Sequence, residues 1–159
     1  MPRLNGYDYS QENYYFVTIC TENRRNIFGL PENQTFSGRI AEEELQQISK
    51  HFSGIRLDSF VVMPNHIHAI IVIGCDKAER ASPFPTLSIV IGSYKSGVSR
   101  RIHQQMPNMK VWQRSFYDHV IRNEADYLRI WQYMDENPIQ WEDDEYYMCG
   151  TGSDVPRGT

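Results

Sequence analysis

Between Val61 and Ile73 the chain reads VVMPNHIHAIIVI, two apolar runs hinged on Pro64-Asn65, the second opening on His66-Ile67-His68. Proline presets φ and asparagine tolerates the left-handed region, so the pair suits a tight turn. A hairpin of Arg56–Met63 with His66–Gly74 is therefore expected. Side chains alternate across a strand, and a run such as Ala69-Ile70-Ile71-Val72-Ile73 is apolar on both faces. Such a strand must be covered on both sides, which places it inside its sheet. His66 and His68 then point to one face and Ile67 to the other, with the two imidazoles side by side at the mouth of the strand.

The remaining elements follow from periodicity. NYYFVTICT (Asn13–Thr21) is rich in aromatic and β-branched residues and predicts a strand. After a loop holding Gly29, Pro31 and Gly38, RIAEEELQQISKHF spaces Ile40, Leu45, Ile48 and Phe52 as a helix does. DKAERASPFP reads as a polar, proline-bearing loop that tolerates insertion. Thr86 is a suitable N-cap for a second amphipathic helix through Leu87, Ile91, Tyr94, Val98 and Ile102. VWQRSFYDHVI predicts another strand, and Asn123 caps a third helix whose apolar stripe is Tyr127, Ile130, Trp131 and Met134 and which Pro138 ends. The order β, α, β-hairpin, α, β, α implies an α+β fold, an antiparallel β-sheet with helices packed on it. A chain of 159 residues fits one domain, taken as residues 1–149, with GTGSDVPRGT (150–159) a loose tail.

Composition narrows the setting. No apolar run approaches the roughly 18 residues of a membrane span, and MPRLNGYDYS lacks the apolar core of a secretory signal. Three distant cysteines, Cys20, Cys75 and Cys149, suit a reducing cytoplasm. The net charge of −4 argues by itself against nucleic acid, but its distribution is uneven. Residues 95 to 129 carry seven basic side chains against three acidic ones, whereas residues 130 to 159 hold seven acids and only Arg157. Lys95, Arg100, Arg101, Arg114 and Arg122 are the candidate contacts for a nucleic-acid backbone, with Tyr94, Trp112 and Phe116 as candidate stacking partners for unpaired bases.

Two imidazoles on a rigid strand are preorganised for a divalent cation. The same triplet also fits histidines satisfied within a core. Zinc would need a third protein ligand, and neither Cys-x-x-Cys nor His-Glu-x-x-His spacing occurs, which leaves His51, His103 and His119 as open partners.

The triplet after MPN, together with VWQRSFYDHVIRNEADYLRIWQYMDENPIQW downstream, resembles the HUH single-strand tyrosine transposases, and most nearly the REP-associated tyrosine transposases related to insertion-sequence enzymes. The resemblance runs from about Gly6 to Trp141. It implies the ferredoxin-like HUH endonuclease sandwich and metal-dependent nicking and rejoining of single-stranded or hairpin DNA through a covalent phosphotyrosine. It further implies that His66 and His68 bind the metal, that Tyr133 is the nucleophile, and that Asn137, four residues on, completes the metal site. Residues i and i+4 share a helix face, so Tyr133 and Asn137 lie in one row with Arg129 a turn back, where its charge would favour the phenolate. Tyr117, in a strand, is the second choice of nucleophile, and Tyr127 belongs to the apolar stripe. Neutral nitrogen and oxygen donors with open positions suit Mg2+ or Mn2+. A hairpin-DNA-binding protein that no longer cuts and a small metal-dependent hydrolase using the same histidines are the competing readings. Monomer and homodimer are both compatible with an exposed late helix.

Overall fold

A computed structural model describes residues 13–74, 85–138 and 141. Its centre is a four-stranded antiparallel sheet of β1 (Asn13–Cys20), β4 (Ile55–Met63), β5 (His66–Ile73) and β6 (Tyr117–Ile121), in the order β4-β5-β1-β6. The two-residue strands β2 (Gly29–Leu30) and β3 (Asn33–Gln34) pair with each other in the β1 to α1 connection. With α1 (Phe36–Gln46) and the one-turn α2 (Ile48–His51) after β1, and α3 (Leu87–His103) after β5, the chain follows the β-α-β-β-α-β path of a ferredoxin-like fold. The final helix α4 (Glu124–Glu136) is added after β6.

The expected hairpin and the interior position of its second strand are both present. All eight residues of β5 are buried, because β4 and β1 flank its edges and helices cover its two faces. On one face Val17, Ile19, Ile67, Ala69 and Ile71 pack against Ile40 and Leu45 of α1 and Val90, Ile91 and Val98 of α3. On the other, Tyr14, Val61, Met63, Ile70 and Val72 meet Tyr127, Ile130 and Met134 of α4. Tyr94 closes the first layer with a 2.7 Å hydrogen bond from its hydroxyl to the carbonyl of Ala41.

Helix ends follow their caps. Thr86 accepts from the Ile89 amide and Asn123 from the Asp126 amide, as their positions before α3 and α4 predict. The first helix begins earlier than its apolar pattern, at Phe36, because Thr35 Oγ1 accepts from the Gly38 amide at 3.1 Å, so Gly38 is helical and not part of the loop. The strand expected over 111–121 is formed only from Tyr117. Before it, the chain touches the sheet by a single bridge, Thr21 to Trp112, because Val111 and Trp112 are drawn into the core. The proline-bearing loop from Asp76 lies outside the described residues as far as Phe84, and the tail from 150 lies wholly outside them.

Two local irregularities shape the α4 face. The β4 register shifts between Leu57 and Ser59, a bulge that aims Asp58 at the last helix. Its carboxylate accepts from the Tyr127 hydroxyl at 2.6 Å and from Arg56 at 3.0 Å, and Arg56 also donates to the Tyr14 hydroxyl at 2.9 Å. This tie fixes the first half of α4 against the sheet. In the loop after β1, Asn23 and Arg24 have φ of 53° and 54°. Each left-handed residue other than glycine costs about 1 to 3 kcal/mol and persists only where the surroundings over-determine it. Here they do: the Thr21 amide donates to the carbonyl of Asn65, the Phe28 amide to that of Pro64, and the Glu22 amide to that of Val111. The loop is thereby clamped across the β4–β5 turn.

Candidate active site

The sheet register sets the site. Cys20 is opposite His66 and Thr18 opposite His68, and Thr18 is flanked on its other side by Tyr117 of β6. These residues point to the α4 face. The imidazoles of His66 and His68 lie with centroids 4.6 Å apart and are almost fully buried. Each ring is held at Nδ1. His68 Nδ1 is 2.9 Å from Thr18 Oγ1, and His66 Nδ1 is 2.9 Å from Asn65 Oδ1. Asn65 Nδ2 donates to the carbonyl of Arg24 at 3.1 Å, which fixes the amide orientation and makes Oδ1 the acceptor. The proton of His66 therefore sits on Nδ1 and the lone pair on Nε2, the tautomer a metal ligand requires.

Above the pair lies α4. Tyr133 is 40% exposed, and its hydroxyl is 3.5 Å from His68 Nε2. Phe16 stacks on His68 at 5.1 Å and meets the edge of Tyr133 at 6.4 Å, wedging the phenol in place from below. Asn137 retains helical angles, φ −55° and ψ −46°, despite the bias that Pro138 imposes on its predecessor. It stays in the Tyr133 row, buried, with its amide against His66. Trp141 covers the other side of His66, with centroids 6.0 Å apart.

Burial pushes His66 down to about 3 from 6.5; the Asn137 amide opposes that shift and the Arg24 charge adds to it. The ring is neutral at physiological pH, as a ligand must be. Between pH 6.5 and 3 the unfolded chain binds a proton at His66 that the folded chain refuses. Stability of the metal-free protein is expected to fall as pH drops through that window, by about 2 kcal/mol at pH 5, and to be indifferent to His66 above pH 7. Urea unfolding of the wild type and of His66→Gln at pH 7 and pH 5 measures this. An equal pH response in both proteins would contradict it.

The other candidates are placed as follows. Among the described residues no cluster of three His, Cys, Asp or Glu side chains can hold a metal. His103 is committed to the Met109 carbonyl and His119 to Asp126, while His51 lies on α2. Tyr127 is fully buried with its hydroxyl on Asp58, which removes it as a nucleophile. Tyr117 shares the site face, 3.5 Å from the Gln113 amide. Arg129 reaches Asp126 rather than Tyr133.

Of the basic candidates, Lys95 donates to the carbonyls of Gln113 and Ser115, and Arg101 pairs with Glu43 and Glu44 of α1, so both serve the α1–α3 side of the sheet. Arg100, Arg114 and Arg122 are exposed, and Arg122 directly precedes the cap of α4. Tyr94 and Trp112 are core residues, the latter donating its indole N–H to the Lys95 carbonyl, and neither can stack on a base. Aromatic residues beside basic ones at helical spacing were packing, not a stacking platform. Asn65, Thr18 and Phe16, which orient the rings and the phenol, carried no signal of their own beyond the position of Asn65 before the triplet.

A parallel pair of strand histidines facing a helix tyrosine and amide is the arrangement of a single-strand DNA-cutting fold, and comparison with known proteins agrees. The family model described as "Transposase IS200 like" matches residues 9–137. The chain belongs to the IS200-like transposase family, whose members cut and transfer DNA. An uncharacterized protein of Haemophilus influenzae Rd is 35% identical over 164 residues, covering 92% of this chain and 91% of its own. Among solved structures, a REP-associated tyrosine transposase bound to a REP hairpin superposes with a TM-score of 0.57 at 19% identity, over 99% of this chain and 94% of its own. A crystal structure of a candidate transposase from Deinococcus radiodurans R1 gives 0.54 at 20%, over 86% and 97%. Both share the fold. No described helix is long and apolar enough to cross a membrane.

Proposed function

We propose that this protein nicks and rejoins single-stranded DNA at hairpin-forming repeats through a covalent phosphotyrosine at Tyr133. The observation that carries the reading is the Tyr133 hydroxyl, half-exposed and 3.5 Å from the outward nitrogen of His68. The REP hairpin bound to the similarly folded transposase is the chemistry such a site would meet.

The donor set fits a divalent ion. His66 and His68 would hold it through their Nε2 lone pairs and Asn137 through its amide oxygen, three neutral donors on rigid elements that leave the charge of Mg2+ or Mn2+ undiminished and positions open. Bound there, the ion supplies Lewis-acid polarisation of a phosphate and lowers the phenol pKa from about 10. The chain does the rest. Thr18 and Asn65 fix the ring nitrogens, Phe16 and Ile130 set the height of α4, and the exposed side of Tyr133 admits the strand. Attack of the phenol oxygen on phosphorus breaks the bond to one strand end. The phenol proton leaves to solvent and the departing oxygen takes one up. The aryl phosphodiester keeps the energy of the broken bond, so a strand-end hydroxyl can reverse the reaction and join new ends.

Labelled hairpin oligonucleotides with single-stranded flanks, incubated with protein and Mn2+, should give a protein–DNA band that survives denaturant. The band should disappear on chelation and in His66→Ala. Turnover without any covalent band would instead favour hydrolysis by water at the same histidines.

A further inference from the structure

The loop clamped over the β4–β5 turn carries a residue that the family-like motifs do not include. Arg24 is 4% exposed, and its backbone is left-handed. Its carbonyl is gripped by the same Asn65 amide that orients His66. Its charge reaches His66, where it disfavours protonation of the ring. We propose that the Arg24 guanidinium is a catalytic contact for the scissile phosphate, held beside His66 by the strained Asn23–Arg24 turn. The inference rests on the reading of the site given above and adds a residue to it.

Three observations point this way. The other side chains gathered here, His66, His68, Asn65, Asn137, Thr18 and Tyr133, are imidazoles, amides and hydroxyls with no carboxylate among them. A phosphodiester brings one negative charge, and the five-coordinate state on the way to phosphotyrosine brings two. A buried guanidinium offers a planar fork to two phosphate oxygens in a medium of low dielectric, where it counts for more than a surface arginine. Finally, the strain is local and maintained. Thr21 Oγ1 bonds the carbonyls of Asn65 and Arg25, and the Arg25 guanidinium ties to the Lys110 carbonyl, so the backbone of Arg24 is fixed from both sides. Left-handed residues other than glycine gather where a side chain must be aimed.

The test uses full-length protein and inorganic phosphate as probe, titrated calorimetrically with and without Mn2+, alongside Mn2+ affinity and thermal unfolding. Arg24→Gln should weaken phosphate binding at least about tenfold, and single-turnover cleavage about 100- to 1000-fold. It should bind Mn2+ as tightly as the wild type or tighter, because a cation beside the metal has been removed. Arg24→Lys should recover part of both losses. Phosphate binding and cleavage within threefold of wild type in Arg24→Gln would overturn the proposal. So would a shared loss of Mn2+ affinity and melting temperature in both variants, which marks a structural arginine. Phosphate affinity that depends on Arg24 in a protein that binds no Mn2+ would refute the metal site and uphold the arginine. Mn2+ binding with phosphate affinity indifferent to Arg24 would do the reverse.

Discussion

Tyr133→Phe is expected to abolish the denaturant-resistant protein–DNA band while leaving the fold and Mn2+ binding intact. The substitution removes one oxygen, and with it the only bond the proposed intermediate can make to phosphorus. Among the described residues no neighbouring group can replace it: Tyr127 is sealed in the core by Asp58, and Tyr117 stands on β6, with Thr18 of β1 between it and His68. The expected loss is therefore complete within detection, on the order of 1000-fold or more. Stability should change by less than about 1 kcal/mol, since the hydroxyl belongs to a half-exposed side chain and its contact with His68, at 3.5 Å, is long for a hydrogen bond. Hairpin affinity should survive. Gel analysis after incubation with Mn2+, with a melting curve of the same sample, reads all of this. A band retained in Tyr133→Phe and lost in Tyr117→Phe would move the nucleophile to β6.

The parts of this molecule that could be read in advance are those whose cause is local. The Pro64-Asn65 turn, the caps Thr86 and Asn123, and the double-sided apolarity of β5 each depend on residues a few positions apart, and each stands where the pattern puts it. The identity of the fold adds only their order. What was not legible depends on contacts made across the chain. Trp112 has the composition of a strand residue but is spent as a plug between Phe28 and Tyr94, so its segment pairs at one point only. Lys95 and Arg101 look like free cations until the carbonyls of 113 and 115 and the acids of α1 arrive to meet them. Asn65 reads as a turn residue and serves as one, yet its side chain sets the tautomer of His66 and restrains Arg24, partners 1 and 41 positions away. Asn137 shows the opposite case. The following proline predicts extended angles, but the packing of Trp141 and α4 on the site holds it helical.

Gly38 shows how far such a long-range contact can reverse a local rule. Alanine is a better helix former than glycine by about 1 kcal/mol, so Gly38→Ala near the start of α1 would ordinarily stabilise. A Cβ at this position would lie 2.1 Å from the carbonyl oxygen of Phe28 and 3.0 Å from its carbon. That oxygen cannot yield cheaply. It accepts from the Thr35 amide at 2.9 Å, and Thr35 in turn caps α1 and donates to the Ile27 carbonyl at 2.6 Å. The Phe28 amide holds the carbonyl of Pro64, so movement here passes to the turn that carries Asn65 and to the Arg24 loop above it. Overpacking against fixed backbone should cost about 3 kcal/mol or more, a melting temperature lower by roughly 10 °C. Gly92 is the control. It lies within α3, where an added methyl would meet nothing within 4 Å, and Gly92→Ala should stabilise by up to about 1 kcal/mol. Calorimetric melting of both variants checks the pair of signs, and Mn2+ affinity checks the route: Gly38→Ala should weaken it and Gly92→Ala should not. A Gly38→Ala protein as stable as wild type would mean that Phe28 and the loop it anchors are not held as tightly as the clamp over His66 requires.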